Sequence, residues 1–438
     1  MRDIHGGTER KLTHTSEVGL SRFNHVRYVS ELLCQPLMVE DYCLQAMADT
    51  SPIKWHLAHT SWFFETFILK VFVKQYQSFH PQFEVLFNSY YNAVGQQFNR
   101  EKRHILSRPS VDQVYEYRAY VNDHIQQLAS VIANAHYSDA QQLEFSQLLA
   151  LGCHHEQQHQ ELMLTDLKYC WFQNPLYPAY QDNLSPLSSA PAAHVLPKKI
   201  TFKSIDAGLY SIGHSSHESF CFDNETPQHQ VYIEGVNIAE RLITNEEYLA
   251  FIDDGGYENP LLWLSQGWSH LQQVGAVKHP LYWVQQDEQW FEYHLYGLKP
   301  LDLSQPVIHV NAYEADAFSR WLGCRLPTEF EWEIHQTKIN AQIPEHNFLN
   351  TQYLQPTNTQ LVGNAWQWTR SAYSAYPKYK AAEGAIGEYN GKFMVDQLVL
   401  RGGSCATAAS HYRHSYRNFF YAKDKWQFSG ISLAQDIN

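Results

Sequence analysis

Two histidines four residues apart on a helix lie on one face and can hold one metal ion between them. His155-Glu156-Gln157-Gln158-His159 sets that spacing inside a stretch of apolar periodicity. The same five residues read H-E-x-x-H, the zinc-protease signature, in which Glu156 is the general base and a third ligand follows downstream. No third His follows at metzincin spacing, and the chain soon turns Pro-rich. The plainest alternative is a polar helix face that is merely rich in His. A second pair, in Trp55-His56-Leu57-Ala58-His59, lies on another amphipathic stretch that can face the first across a bundle core, where metal ligands collect from facing helices. Three neutral imidazoles leave coordination positions open, which suits a zinc-bound hydroxide or an Fe(II) that must meet substrate and oxygen together. Spacing chooses neither between these metals nor between His56 and His59.

Other residues with chemical capacity cluster nearby in the sequence. FNSYYNAVG carries adjacent Tyr90 and Tyr91. Read on a helix, adjacent side chains point apart, so one of the two faces a site, where a phenol can donate a proton or an electron. Arg100 and Arg103 in NREKRHILSRP can hold a substrate carboxylate, or form a solvated basic turn. Farther on, Arg401-Gly402-Gly403-Ser404-Cys405 and Arg417-Asn418-Phe419-Phe420 flank a loop rich in Tyr and His. The Gly pair lacks the helix-opening context of a phosphate loop, and Cys405 reads as a lone buried thiol.

These residues need elements to position them. From about Glu17 to Gln173 apolar residues recur at three- and four-residue spacing in four segments, which predicts a four-helix bundle, with Ser110 capping the third helix. Residues 174–199, rich in Pro, Ser and Ala, read as a surface-wrapped linker. From Ile200 onward short alternating strands, Gly turns and many aromatics predict an irregular α+β domain with one clear helix, Asn311–Leu322. The divisions are thus 15–173, 174–199 and 200–438. A net charge of -13 without a basic stripe argues against nucleic acid and anionic membranes as partners. Seven scattered Cys without a CxxC pair, no apolar leader and no membrane-length apolar run predict a soluble cytoplasmic protein with reduced thiols.

Taken in order, SPIKWHLAHTSWFFETF, LFNSYYNAVG, LSRP, HHEQQHQELML, GLYSIG, FDNETPQH, ITNEEYLAFI, RLPTEFEWE, GNAWQWT, LRGGSC and YRNFF followed by WQFSG resemble the ergothioneine-biosynthesis sulfoxide synthases, the EgtB-like enzymes. The resemblance covers nearly the whole chain. It implies a multidomain protein: a DinB-like four-helix bundle, then an α+β domain of the C-type-lectin-like, formylglycine-generating-enzyme type. It implies Fe(II) on His59, His155 and His159, with His56 and His154 outside the ligand set. Gln158 matches the glutamine that contacts the imidazole of hercynine (Nα-trimethylhistidine), and Tyr90 and Tyr91 match the tyrosine pair of the cysteine-using branch. Asn418 matches the asparagine at the betaine end, while Arg100 and Arg103 lie where carboxylate-binding arginines are expected. The branch that uses γ-glutamylcysteine carries an Asp two residues after that asparagine, where this chain has Phe420. Free cysteine, hercynine and O2 are therefore the implied substrates. The copper-binding Cys pair of the formylglycine generator is reduced here to Cys405, so the second domain is read as a scaffold. Rival readings are the ovothiol type acting on histidine, a thiol transferase using zinc or nickel, and a binding module without catalysis.

Overall fold

The computed structural model describes residues 5–134, 137–180, 199–215, 219–274, 277–343 and 361–437, with side chains in the first helix from residue 19 onward. The chain packs as two units. One comprises Met1–Cys170 with Ala382–Tyr389, the other Trp171–Ala381 with Asn390–Asn438. Of the linker residues, 181–198 lie outside the described residues.

The first unit is built on four long helices, α1 (His5–Cys34), α2 (Ile53–Phe64), α3 (Val111–Asn134) and α4 (Asp139–Phe172). Ser110 caps α3 as expected: its Oγ accepts the Gln113 N–H at 3.2 Å, and Gln113 reaches back to the Ser110 N–H at 2.9 Å. Every residue of α2 is buried, so this helix is the centre of the bundle rather than an amphipathic wall. Its polar residues need internal partners, and Lys54 shows how they are met by donating to the Leu106 carbonyl at 2.7 Å. Directly after α2 the backbone widens into a π turn, Glu65–Leu69. There the buried Glu65 accepts the hydroxyls of Tyr76 at 3.0 Å and Tyr117 at 2.7 Å.

Helices α2 and α4 approach closely at Gly152. A Cβ built there would lie 2.3 Å from Cε1 of Phe64, with two more ring atoms within 2.9 Å. Phe64 is itself locked edge-on against Phe23 at 4.9 Å, so the ring has little room to yield. Gly152→Ala is expected to cost about 1–3 kcal/mol of stability through overpacking, despite the better helix propensity of Ala. Chemical denaturation checks this; an unchanged or stabilised protein would show that the contact is soft.

In the second unit a hairpin pairs β2 (Gly208–Ile212) with β3 (His229–Ile233). β1 (Phe202–Ile205), β4 (Val236–Ala239) and β12 (Ala434–Asp436) form a small antiparallel sheet in the order β1-β4-β12. A three-stranded meander follows, β5 (Trp283–Gln286), β6 (Gln289–His294) and β7 (Gly297–Pro300). The remaining sheet runs β10-β9-β8-β11, from β8 (Trp366–Ala372), β9 (Gln397–Arg401), β10 (Asn418–Tyr421) and β11 (Ser429–Gly430). Four helices join these strands: α5 (Asn245–Asp253), α6 (Ser265–Val274), α7 (Ala312–Trp321) and α8 (Glu329–Ile339). Sequence reading anticipates α7 alone, as Asn311–Leu322; in the structure Asn311 is its N-cap. The buried Arg401 and Arg417 tie α8 to the sheet through Glu329 and Glu333, at 2.8–3.0 Å. The architecture is a helical N-terminal region followed by a mixed α+β domain, as the sequence predicts. Among the described residues no helix is long and apolar enough to cross a membrane, and the seven cysteines form no disulfide.

Candidate metal centre

One cluster of potential metal ligands is present among the described residues. His59 from α2 and His155 and His159 from α4 offer nitrogen atoms that all lie within 4.8 Å of one another. The i, i+4 spacing places the two α4 rings on one face, with ring centroids 4.6 Å apart. His59 Nε2 lies 3.2 Å from His155 Nε2. His56, one turn before His59, stands a step back: its Nδ1 is 2.8 Å from His159 Nδ1. No carboxylate or thiol joins the cluster among the described residues.

The surroundings suit a metal ion. His59 and His155 are fully buried, while His159 is half-buried. His59 Nδ1 lies 2.6 Å from the Phe87 carbonyl, which keeps a proton on Nδ1 and leaves Nε2 as the coordinating lone pair. His155 Nδ1 finds no hydrogen-bond partner among the described residues, and its ring is held instead by Phe63 at 4.3 Å. Burial pushes all three imidazoles well below their ordinary value of 6.5, and the neighbouring His rings push further in the same direction. Three neutral nitrogen donors within 4.8 Å of one another are the state a divalent cation needs.

A pH dependence follows for the metal-free protein. The unfolded chain protonates these rings near 6.5, whereas the folded chain resists protonation until much lower pH. The unfolded state therefore binds more protons below that value, and stability is lost as the pH falls through it. The expected result is a Tm that drops between about pH 7.5 and about pH 5.5, and drops less in His155→Ala. Equal pH dependence in the two proteins would contradict this assignment of the titrating rings.

Glu156 cannot serve as a protease base in this arrangement. Its Oε1 accepts from Ser30 Oγ at 2.6 Å and Arg118 at 3.0 Å, and its Oε2 accepts from Arg27 at 2.9 Å. Burial alone would raise this carboxyl, but the two guanidiniums more than offset it and hold the group below its ordinary range. Glu156 is an anchor among α1, α3 and α4.

Tyr90 and Tyr91 are not on a helix. They sit in a turn organised by Asn88, whose Oδ1 accepts the Tyr91 N–H at 3.0 Å and whose Nδ2 donates to the Tyr91 carbonyl at 3.0 Å. Their rings therefore stack, at 4.7 Å, instead of diverging. Tyr91 is buried against Trp62 at 5.6 Å, and Trp62 in turn stacks on His59 at 5.4 Å. Burial holds the Tyr91 phenol well above its ordinary value, so it keeps its proton. Arg103 is buried with its guanidinium 3.4 Å from the Trp55 ring centroid, donating to Ser51 Oγ at 2.7 Å. Arg100 is exposed and donates to the Asp49 carbonyl. Asn418 and Phe420 lie on β10 of the second unit, where Asn418 Oδ1 accepts the Phe419 N–H at 2.9 Å and Phe420 meets Trp426 edge-on at 5.6 Å.

Sequence reading missed one site residue, Tyr389. The segment Ala382–Tyr389 belongs to the first unit, fastened by Glu388, which accepts the backbone N–H groups of Asn92 at 3.1 Å and Ala93 at 2.8 Å. Tyr389 meets His155 edge-on at 5.6 Å and donates its hydroxyl to Gln158 Oε1. Nothing in the local sequence signals this: AAEGAIGEY has no ligand spacing and no periodicity.

Comparison with known proteins agrees with this architecture. The chain belongs to the sulfatase-modifying factor enzyme 1-like domain family, which matches residues 191–337 and 358–437. The DinB superfamily matches residues 22–163, the region that holds the histidine cluster. A relative named hercynine oxygenase from Mycolicibacterium smegmatis is 31% identical over 50% of this chain and 57% of its own length. Another of that name from Mycobacterium tuberculosis is 29% identical over 66% of this chain and 72% of its own length. A Schizosaccharomyces pombe protein named ergothioneine biosynthesis protein 1 is 28% identical over 55% of this chain and 32% of its own length. The match thus spans little more than half the length of the first of these relatives. Both regions expected from the resemblance are present, in the expected order.

Proposed function

We propose that the chain is an Fe(II)-dependent sulfoxide synthase that joins the sulfur of cysteine to the imidazole C2 of hercynine, using O2, in ergothioneine biosynthesis. The observation that carries the reading is the carboxylate-free cluster of His59, His155 and His159 in a DinB-type bundle. The relatives named hercynine oxygenase supply the substrate class. Bound Fe(II) would supply redox chemistry in which one O2 takes two electrons from C–S bond formation and two from sulfur oxidation, giving sulfoxide and water.

The chain's own residues then do the positioning. With three neutral nitrogen donors from the chain, a bound metal would have room for small molecules and would favour a substrate sulfur in its thiolate form beside the imidazole carbon. The half-buried Gln158 and His159 mark the approachable side of the cluster. Gln158, its Oε1 fixed by the Tyr389 hydroxyl, orients the hercynine ring. Arg103, with Arg100 farther out, places positive charge where a substrate carboxylate is to be held. Tyr90 or Tyr91 delivers a proton during oxygen reduction, a role that suits a phenol kept protonated by burial. Asn418 is assigned to the betaine end, and Phe420, with no carboxylate to offer a γ-glutamyl amine, is the reason for choosing free cysteine. The protein acts on small molecules in the cytoplasm, without nucleic acid or membrane partners.

The test is oxygen consumption by the Fe(II)-loaded protein with hercynine plus cysteine, hercynine plus γ-glutamylcysteine, and histidine plus cysteine in parallel. The expected result is fast turnover with the first pair only. Preference for γ-glutamylcysteine would overturn the reading of Phe420, and preference for histidine would move the protein to ovothiol-type chemistry.

A further inference from the structure

His159 has a partner that the metal-site reading does not use. Its Nδ1 lies 2.8 Å from Nδ1 of His56, and Nε2 of His56 lies 3.1 Å from Oδ2 of Asp166. Asp166 is held in turn by the Ser51 N–H, which donates to the same oxygen at 2.8 Å. His56, Asp166 and Ser51 are all buried. Four polar groups in a row inside a bundle core need a physical reason, because each is costly there unless paired.

The chemistry of the row fixes the direction of its hydrogen bonds. A carboxylate only accepts, so the proton on His56 sits on Nε2 and points to Asp166. His56 Nδ1 is then a lone pair, which can only accept from His159. That places the His159 proton on Nδ1 and leaves the Nε2 lone pair as the nitrogen His159 can give to a metal. The three ligands are thus oriented in three different ways: His59 by the Phe87 carbonyl, His159 through His56, and His155 by ring packing alone.

We propose that Asp166 and His56 form a positioning relay that locks His159 in the Nδ1–H tautomer and aims its Nε2 at the metal. The inference rests on the metal-site reading above. It makes His56 a positioning residue, neither a spare ligand nor a core filler, and it explains why two His stand on α2 where one suffices to coordinate. Loss of an outer hydrogen-bond partner of this kind typically weakens metal binding by about 10–100-fold.

The experiment is an anaerobic titration of the metal-free full chain with Co(II), a spectroscopic stand-in for Fe(II), read by its d–d absorption. The proteins are wild type, His56→Leu, which removes the acceptor, and His56→Gln, which can offer a side-chain carbonyl to His159. The expected result is a loss of about 10–100-fold in Co(II) affinity with an altered spectrum in His56→Leu, and substantial recovery of both in His56→Gln. Wild-type affinity in His56→Leu, or equal loss in both variants, would overturn the relay while leaving the metal site standing. A wild type that binds no Co(II) would instead overturn the metal site, and the relay with it. Should His56→Leu fail to fold, two-bond 15N–1H spectra of the histidine-labelled wild type decide the matter. Protonation of His159 at Nδ1 supports the relay, and protonation at Nε2 refutes it.

Discussion

His155→Ala is expected to abolish iron retention while leaving a folded protein. Its ring supplies one of only three nitrogen donors to the cluster, so its loss should exceed the roughly 10–100-fold penalty for an outer partner. The aromatic groups packed on it besides the cluster's own rings, Phe63 and Tyr389, are poor ligands for Fe(II), and His56 is already engaged with His159 and Asp166. Folding should survive, because in the metal-free state His155 contributes a buried Nδ1 with no partner among the described residues. Such a group adds little that Ala would forfeit beyond packing. Metal analysis after anaerobic loading and a thermal melt check the two halves. Full iron content in the variant would remove His155 from the ligand set.

Glu156→Ala is expected to act on the other side of the same helix and in the opposite sense, on folding first. The carboxylate balances two fully buried guanidiniums, those of Arg27 and Arg118. Deleting one partner of a buried ion pair typically costs about 3–5 kcal/mol, because the remaining charge is left uncompensated in a medium that cannot solvate it. For a unit of this size that corresponds to a fall in Tm on the order of 10 °C. The result separates two accounts of the H-E-x-x-H motif. A protease base would be lost with little effect on stability, whereas an anchor is lost with the fold. A Glu156→Ala protein with wild-type Tm would favour the first.

Much of the helical unit is legible in the sequence because its signals are local. The His155/His159 spacing needs only 3.6 residues per turn, and the Ser110 cap needs only its own next three residues. The choice of His59 over His56 is not local. It depends on how α2 is rotated in the core, which the close contact between Gly152 and Phe64 helps to set. Tyr90 and Tyr91 are misread as helical because apolar spacing outweighs the turn chemistry of Asn88, Ser89, Asn92 and Gly95 in the same segment. In the second unit, Thr244 with Glu247 and Thr328 with Glu331 form capping boxes of the same kind as Asn311 with Glu314. These signals were available, but the short helices they open carry weak periodicity. Tyr389 is the hardest case. Its place beside His155 and Gln158 is made by contacts distant in sequence, and no local pattern encodes them.

The role proposed for this histidine cluster is O2-dependent carbon–sulfur bond formation. The most direct measurement is mass analysis of the product after aerobic incubation of the iron-loaded chain with hercynine and cysteine. The expected product is a single adduct carrying both substrates and one added oxygen, absent from a parallel incubation of His155→Ala. Confirmed bound iron with no such adduct would contradict it.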